Sequence, residues 1–249
     1  MNDMYINTTG IVLRETAYKD SGKILTVLTG SEGKLTVSAR GALRRNSKFA
    51  ATTQLLVFSE MTLFFSRDRC TLTEARSIEQ FSGLRNDIVL LALGSYFAEL
   101  IEAASDEDSP SPELLTILLN ALYALSEGVK APDYVKPAFE LRLTAAAGFA
   151  PLLTCCAVCG SATPDRALLN VEGGVITCCD CASSGLNISQ SALSAMRYVI
   201  SCDTKKMISF SLSEAALREL YRAAEEYLLA KFDRRFRTLE FFKLINNSP

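Results

Sequence analysis

Lys34-Leu35-Thr36-Val37-Ser38-Ala39-Arg40 alternates strictly between polar and apolar side chains. Successive side chains of a strand point to opposite faces, so a period of two reads as a strand with one face buried and the other wet. Outward from it, Ile11–Thr16, Ile24–Thr29, Leu55–Phe65 and Cys70–Ser77 are rich in β-branched and aromatic residues or bounded by turn residues, and Gly22, Gly30 and Gly33 punctuate the early part. Five strands thus fall within residues 5–77. A sheet of that size hides its edges best by closing on itself, which predicts a small five-stranded β-barrel. Gly41–Thr53 is an unusual connection, thirteen residues long and near the length at which loops become functional or disordered.

Residues 84–148 switch to helical spacing. Ser111-Pro112-Glu113 predicts a helix start, with Ser as cap and Pro at the first helical position, after an interhelical loop over Asp106–Pro112. Pro137 is expected to open the next helix and Gly148 to close it. Near the other end, Ser211-Leu212-Ser213-Glu214 reads as a capping box, and Leu217, Leu220, Tyr221, Ala224 and Leu228 follow on one helical face. The expected class is α+β: a barrel domain over 1–80, a helical domain over 81–154 and 185–249, and a four-cysteine module inserted at 155–184.

About half of the 249 residues are apolar and 22% are charged, as in a globular chain with a real core. The net charge is −2, but it is segregated: 11 Lys/Arg against 8 Asp/Glu in residues 1–80, 4 against 10 in 81–154, and 11 against 10 in 155–249. Such segregation can steer a polyanion even when the total is near zero. The N-terminus lacks a basic-then-apolar signal pattern, and the apolar run Ile88–Ala104 is broken by Gly94, Glu99 and Glu102, so a cytoplasmic protein without membrane contact is expected. There is no histidine. That removes the commonest general base and every His-ligated metal site. With no phosphate-binding loop or dinucleotide glycine pattern, and with Asp106, Glu107 and Asp108 in a loop, the expectation is a protein that is not an enzyme.

Cys156-x-x-Cys159 and Cys178-x-x-Cys181 are separated by 18 residues. Two such knuckles fit one tetrahedral ion held by four thiolates, and four sulfurs leave no open position for water, so one structural Zn2+ is expected. Gly160 and Gly173-Gly174 supply the turns that bring the knuckles together. Buried thiols or disulfides are the alternative, and Cys155 could replace Cys156 only with a less usual spacing. Cys155 and Cys179 are read as non-ligands, Cys70 and Cys202 as isolated core cysteines.

Arg40-Gly41-Ala42-Leu43-Arg44-Arg45-Asn46-Ser47-Lys48-Phe49 holds four positive charges and no negative one. Cations on a loop reach phosphates, and a neighbouring aromatic can stack on a base. Arg40, Arg44, Arg45, Lys48 and Lys34 are candidate phosphate contacts and Phe49 a candidate stacker, against the plainer reading of a solvated loop with Phe49 in the core. Tyr18, Lys19 and Lys23 form a weaker second set, and the basic-aromatic run Lys231–Arg237 a third that equally suits a solvated helix end.

Thr9-Gly10-Ile11-Val12-Leu13-Arg14, Gly33-Lys34-Leu35, Ala39-Arg40-Gly41-Ala42-Leu43-Arg44, Phe81-Ser82-Gly83-Leu84-Arg85, Leu141-Arg142-Leu143, Gly148-Phe149-Ala150-Pro151 and the Cys156/Cys159 knuckle together resemble, in order, the RecO family of DNA repair proteins. The resemblance covers nearly the whole chain and implies an N-terminal OB-type barrel, a helical domain and a zinc module. It also implies a recombination mediator, cytoplasmic and nucleoid-associated. Such a protein binds single- and double-stranded DNA, anneals complementary strands, and works with RecR, and often RecF, to load RecA onto strands coated by single-stranded-DNA-binding protein. The rival expectation is a scaffold whose barrel and helices bind proteins and meet DNA only incidentally.

Overall fold

The computed structural model describes residues 4–67, 69–107, 109–162 and 166–246; Asp108 lies outside them. Five strands come first: β1 (Met4–Tyr18), β2 (Gly22–Thr29), β3 (Lys34–Ala39), β4 (Phe58–Ser66) and β5 (Arg69–Glu79). They close in the order β1-β2-β3-β5-β4, the expected five-stranded barrel. β1 serves two neighbours, pairing with β4 through Met4–Ile11 and with β2 through Gly10–Tyr18, and a bulge between Val12 and Arg14 bends it between them. Closure is made by a short parallel contact, Val37 opposite Cys70 and Ser38 opposite Thr71. Leu35, Val37 and Ala39 point inward, as their alternation predicts, onto Val12, Leu25, Val27, Met61, Leu63 and Leu72.

The long connection between β3 and β4 is a chain of hydrogen-bonded turns. Arg44 N–H donates to Gly41 O at 3.1 Å, Ser47 N–H to Arg44 O at 3.0 Å and Thr53 N–H to Phe49 O at 3.1 Å. Its end is pinned to the bulge of β1, where Leu56 N–H donates to Val12 O at 2.8 Å. Strand pairing therefore starts at Phe58, three residues after the expected Leu55.

Four helices belong with the barrel: α1 (Ser82–Arg85), α2 (Ile88–Ala104), α3 (Pro112–Ser126) and, much later in the chain, α7 (Arg237–Asn246). Asp87 caps α2 by accepting from the N–H groups of Val89 and Leu90 at 2.8 and 3.2 Å. α2 buries residues on most of its circumference, including Leu93, Tyr96, Phe97, Leu100 and Ile101, as a central helix must. Gly33, at φ +72°, turns the chain between β2 and β3; a Cβ there would lie 2.1 Å from Ser109 O. Gly33→Ala is expected to destabilise by about 3 kcal/mol, from left-handed strain plus a clash with backbone. Gly128→Ala, where φ is +63° and a Cβ meets nothing within 4 Å, should lose only the strain. Denaturant titration of the two variants reads the difference.

Residues 127–235 form the second compact unit. It contains α4 (Pro132–Ala146), the sheet β6 (Arg166–Asn170), β7 (Val175–Cys178) and β8 (Leu186–Ser189) in the order β7-β6-β8, then α5 (Gln190–Ser201) and α6 (Glu214–Phe232). Two helix starts differ from expectation. α4 opens at Pro132, and Pro137 lies inside it, where its missing N–H forfeits one early bond. α6 begins at Glu214 with Ser213 as cap, its Oγ accepting from Ala216 N–H at 3.4 Å, two residues later than the expected capping box. Gly148 does end α4, at φ +86°, with Phe149 N–H returning to Thr144 O at 2.8 Å. Strands and helices share one core, in which Leu169, Ile176 and Ile188 meet Leu141, Met196, Leu220 and Ala224. Among the described residues no helix is long and apolar enough to cross a membrane.

Candidate metal centre and nucleic-acid interface

The four cysteines of the two knuckles converge. The sulfurs of Cys156, Cys159, Cys178 and Cys181 all lie within 4.8 Å of one another, and Cys159 Sγ is 3.7 Å from Cys178 Sγ. A tetrahedral ion with metal–sulfur bonds of about 2.3 Å requires sulfurs about 3.8 Å apart, so the residues fit a single ion. Local folding makes the cluster. Cys156 N–H donates to Ser161 O at 2.8 Å and Gly160 N–H to Cys156 O at 3.0 Å, closing the first knuckle, and Ala157 N–H ties it to Ile176 O on β7 at 2.8 Å. The β6–β7 hairpin turns at Gly173-Gly174, where Asn170 Oδ1 accepts from Gly173 N–H at 2.8 Å, and delivers Cys178 at the end of β7. Cys181 N–H then donates back to Cys178 O at 3.1 Å.

As thiols, Cys156 and Cys181 are shifted in opposite directions. Backbone N–H groups of Cys159, Cys178 and Val158 hold Cys156 down at about 6, whereas hydrogen bonds with Cys178 and Cys159 push Cys181 up to about 12. All eight cysteines are free of disulfides. Cys155 and Cys179 stay outside the cluster: Cys155 Sγ accepts from Thr154 Oγ1 at 3.8 Å, and Cys179 Sγ faces Arg166 O at 3.7 Å. Cys70 is buried in the barrel, where burial pushes its thiol up to about 12.

The basic candidates divide. Lys23 is ion-paired with Glu15, donates to Thr53 O at 3.3 Å, and its side chain is only 12% exposed. Lys34 lies on the polar face of β3, yet its ammonium donates to Glu102 O at 2.9 Å and Ser105 O at 2.6 Å, neutralising carbonyls at the C-terminus of α2. Phe49 is 6% exposed and packs in the barrel core, so it offers no face for stacking. Arg40, Arg44, Arg45 and Lys48 are exposed, though Lys48 Nζ donates to Thr73 O at 2.8 Å. In the basic run near the end of α6, Lys231 is held by Glu172 O at 2.6 Å.

Arg40 and Arg44 line an open cleft of about 610 Å³ on the barrel, together with Tyr18, Lys19 and Arg69, and with Asp20 as its one carboxylate among the described residues. The cleft lies over β2 and β3 and between the β1–β2 turn and the start of β5. Leu43 N–H donates to Ser21 O at 2.9 Å, which fastens the segment carrying Arg44 to the β1–β2 turn. The parallel β3–β5 contact, Val37 opposite Cys70, sets the start of β5 along β3, so that Arg69 lines the same cleft as Arg40.

Residues 1–81 match the family model described as Recombination protein O N terminal, and residues 85–240 that described as Recombination protein O C terminal. The chain belongs to the RecO family. It is 31% identical to a DNA repair protein RecO of Acetivibrio thermocellus, across 97% of this chain and 98% of that protein. It is 34% identical to one of Symbiobacterium thermophilum, across 97% and 98%, and 30% to one of Caldicellulosiruptor bescii, across 96% and 98%. The junction between the two RecO models falls at α1, where the OB-type barrel of the family passes into helices. Within this RecO fold, Arg69 joins the cation cluster without any motif to mark it. The one signal is a local excess of arginine, Arg67 and Arg69, where one strand gives way to the next, at a loop that barrels of this type use for ligands.

Proposed function

We propose that this chain binds DNA strands in the cleft between the β1–β2 turn, β3 and the start of β5, and that it anneals complementary strands without covalent chemistry. What supports this reading is the convergence of four cations, Lys19, Arg40, Arg44 and Arg69, on the face and loops where barrels of this type take oligonucleotides. Arginines and lysines there neutralise backbone phosphates and lower the repulsion between two strands brought together. In the cell the chain acts as a recombination mediator that works with RecR, and with RecF, to load RecA onto single strands coated by single-stranded-DNA-binding protein. The four-sulfur cluster holds one Zn2+, because soft thiolates in a tetrahedral set favour that ion, and it serves architecture. Metal analysis of purified protein checks the ion.

The triple variant Arg40→Ala/Arg44→Ala/Arg69→Ala tests the DNA reading. Removing three phosphate contacts should flatten the slope of log affinity against log salt by about 2 for single strands, at about 0.7 per contact. Binding should weaken alike for all sequences, and annealing of coated complementary strands, with and without RecR, should slow with it. Unchanged affinity and slope would move DNA off this cleft and favour the protein-scaffold reading.

A further inference from the structure

We propose that Tyr18 is the stacking platform for one unpaired base in the barrel cleft, so that this face takes single-stranded in preference to paired DNA. The inference rests on the DNA-binding reading of the cleft and names what that cleft selects. Tyr18 is the last residue of β1 and is 48% exposed, a large ring left half in water. Its cross-strand partner is Gly22, which has no side chain to cover it. The next residue, Lys19, takes φ 52°, so the chain turns away immediately after the ring. The other exposed aromatic of the barrel strands with a stacking-competent ring, Tyr5, already lies 4.7 Å from the ring of Phe64, and Phe49 is buried.

Lys19, Arg40, Arg44 and Arg69 line the same cleft as the ring. Lys19 Nζ lies over the Tyr18 ring, 5.3 Å from its centroid, so a base stacking on that face must displace the ammonium, which is then free to meet the base's phosphate. Arg44 lies along the backbone of Gly41: a Cβ on that glycine would be 3.4 Å from Arg44 Cδ and Nε. Thr36, Ser38 and Thr71 supply small hydroxyl-bearing side chains to the cleft wall. A flat ring beside a row of cations is the pairing that non-specific single-strand sites use, because every base has a stackable face while the backbone supplies uniform charge. In a duplex those faces are already stacked on one another, so duplex DNA gains the charge term alone.

The chain contains no tryptophan, so Tyr18→Trp introduces a single fluorescent reporter at the site itself. Its emission should be quenched on saturation with oligothymidylate and unchanged with an abasic deoxyribose-phosphate chain of the same length. Tyr18→Ala should lose roughly tenfold to a hundredfold in oligothymidylate affinity and little for a duplex, while Tyr18→Phe keeps wild-type binding. If Tyr18→Ala binds as wild type, or if the tryptophan is not quenched, while the Arg40/Arg44/Arg69 variant is weakened, the stacking role is wrong and the cleft is right. Equal losses for single strand, duplex and abasic chain also overturn stacking. If neither the tyrosine nor the arginine variants change binding, both readings fall together.

Discussion

A chain carrying Cys159→Ser is expected to lose its metal and to melt residues 127–235 at a lower temperature, while the barrel still binds DNA. Cys159 is one of four converging sulfurs and the most open to water of the set. A structural zinc contributes an apparent 10–16 kcal/mol, roughly, to small zinc modules, against about 5–15 kcal/mol of net stability for a whole domain. The loss cannot stay local. The β6–β7 hairpin that carries Cys178 also delivers Leu169 and Ile176 into the core shared with α4, α5 and α6. Elemental analysis should fall from about one ion per chain to near none, and calorimetry should show an early transition. The cleft residues Arg40, Arg44 and Arg69 belong to the other compact unit, so oligonucleotide affinity of the folded protein should persist. A metal-free variant that melts normally yet no longer binds DNA would refute this division of labour.

Lys136→Met should destabilise the same unit by about 3–5 kcal/mol, the usual result of removing one partner from a buried ion pair. Lys136 and Glu140 are both 0% exposed at 2.8 Å, and Glu225 reaches the ammonium from α6 at 2.9 Å. The ring of Tyr221 lies 4.1 Å from it. Burial alone would push Lys136 down, but Glu140, Tyr221 and Glu225 together outweigh it and hold it above its ordinary value. A raised lysine contributes stability that is fully present below its unfolded value of about 10.4 and fades only as pH climbs through the folded value. The loss in Lys136→Met should therefore be the same at pH 6 and pH 8. Lys136→Met/Glu140→Met should recover much of it, since an apolar pair leaves Glu140 no charge to bury. Denaturant titrations of the cycle measure this; full additivity would show that the two side chains do not act as a pair.

What could be read from the chain, and what could not, follows from the range of each signal. Residues 34–40 declare a strand because alternation is local, and the two Cys-x-x-Cys knuckles declare a four-sulfur cluster able to hold a metal because the chemistry leaves few other uses for that spacing. The Val37–Cys70 contact that closes the barrel joins residues far apart in the chain, and no local pattern encodes it. Phe49 sits in a segment with no period, so nothing local separates an aromatic on the surface from one plugging the barrel. Lys34 obeys the alternation and still leaves the wet face, because α2 ends within reach of its ammonium. Pro132 and Pro137 both suit a first helical turn, and Ser211 and Ser213 both suit a cap; local pattern does not separate them, and the helices open at Pro132 and after Ser213. Lys136 and Glu140 look like a solvated pair one turn apart, and only the arrival of α6 makes them interior.

The return of α7 to the barrel unit bears on how the chain is made. Arg237–Asn246 packs on α2, and the carboxylate of Glu99 accepts from Thr238 N–H at 3.1 Å in the first turn of α7. Phe236 enters the same layer, its ring 6.1 Å from that of Tyr96. A ribosome must therefore translate all of residues 127–235 before α2 receives its last cover, an interval of roughly 5–20 s at bacterial elongation rates. During it the nascent barrel exists with an apolar helix partly bare, the period in which a chaperone is most useful and a stalled transcript most harmful.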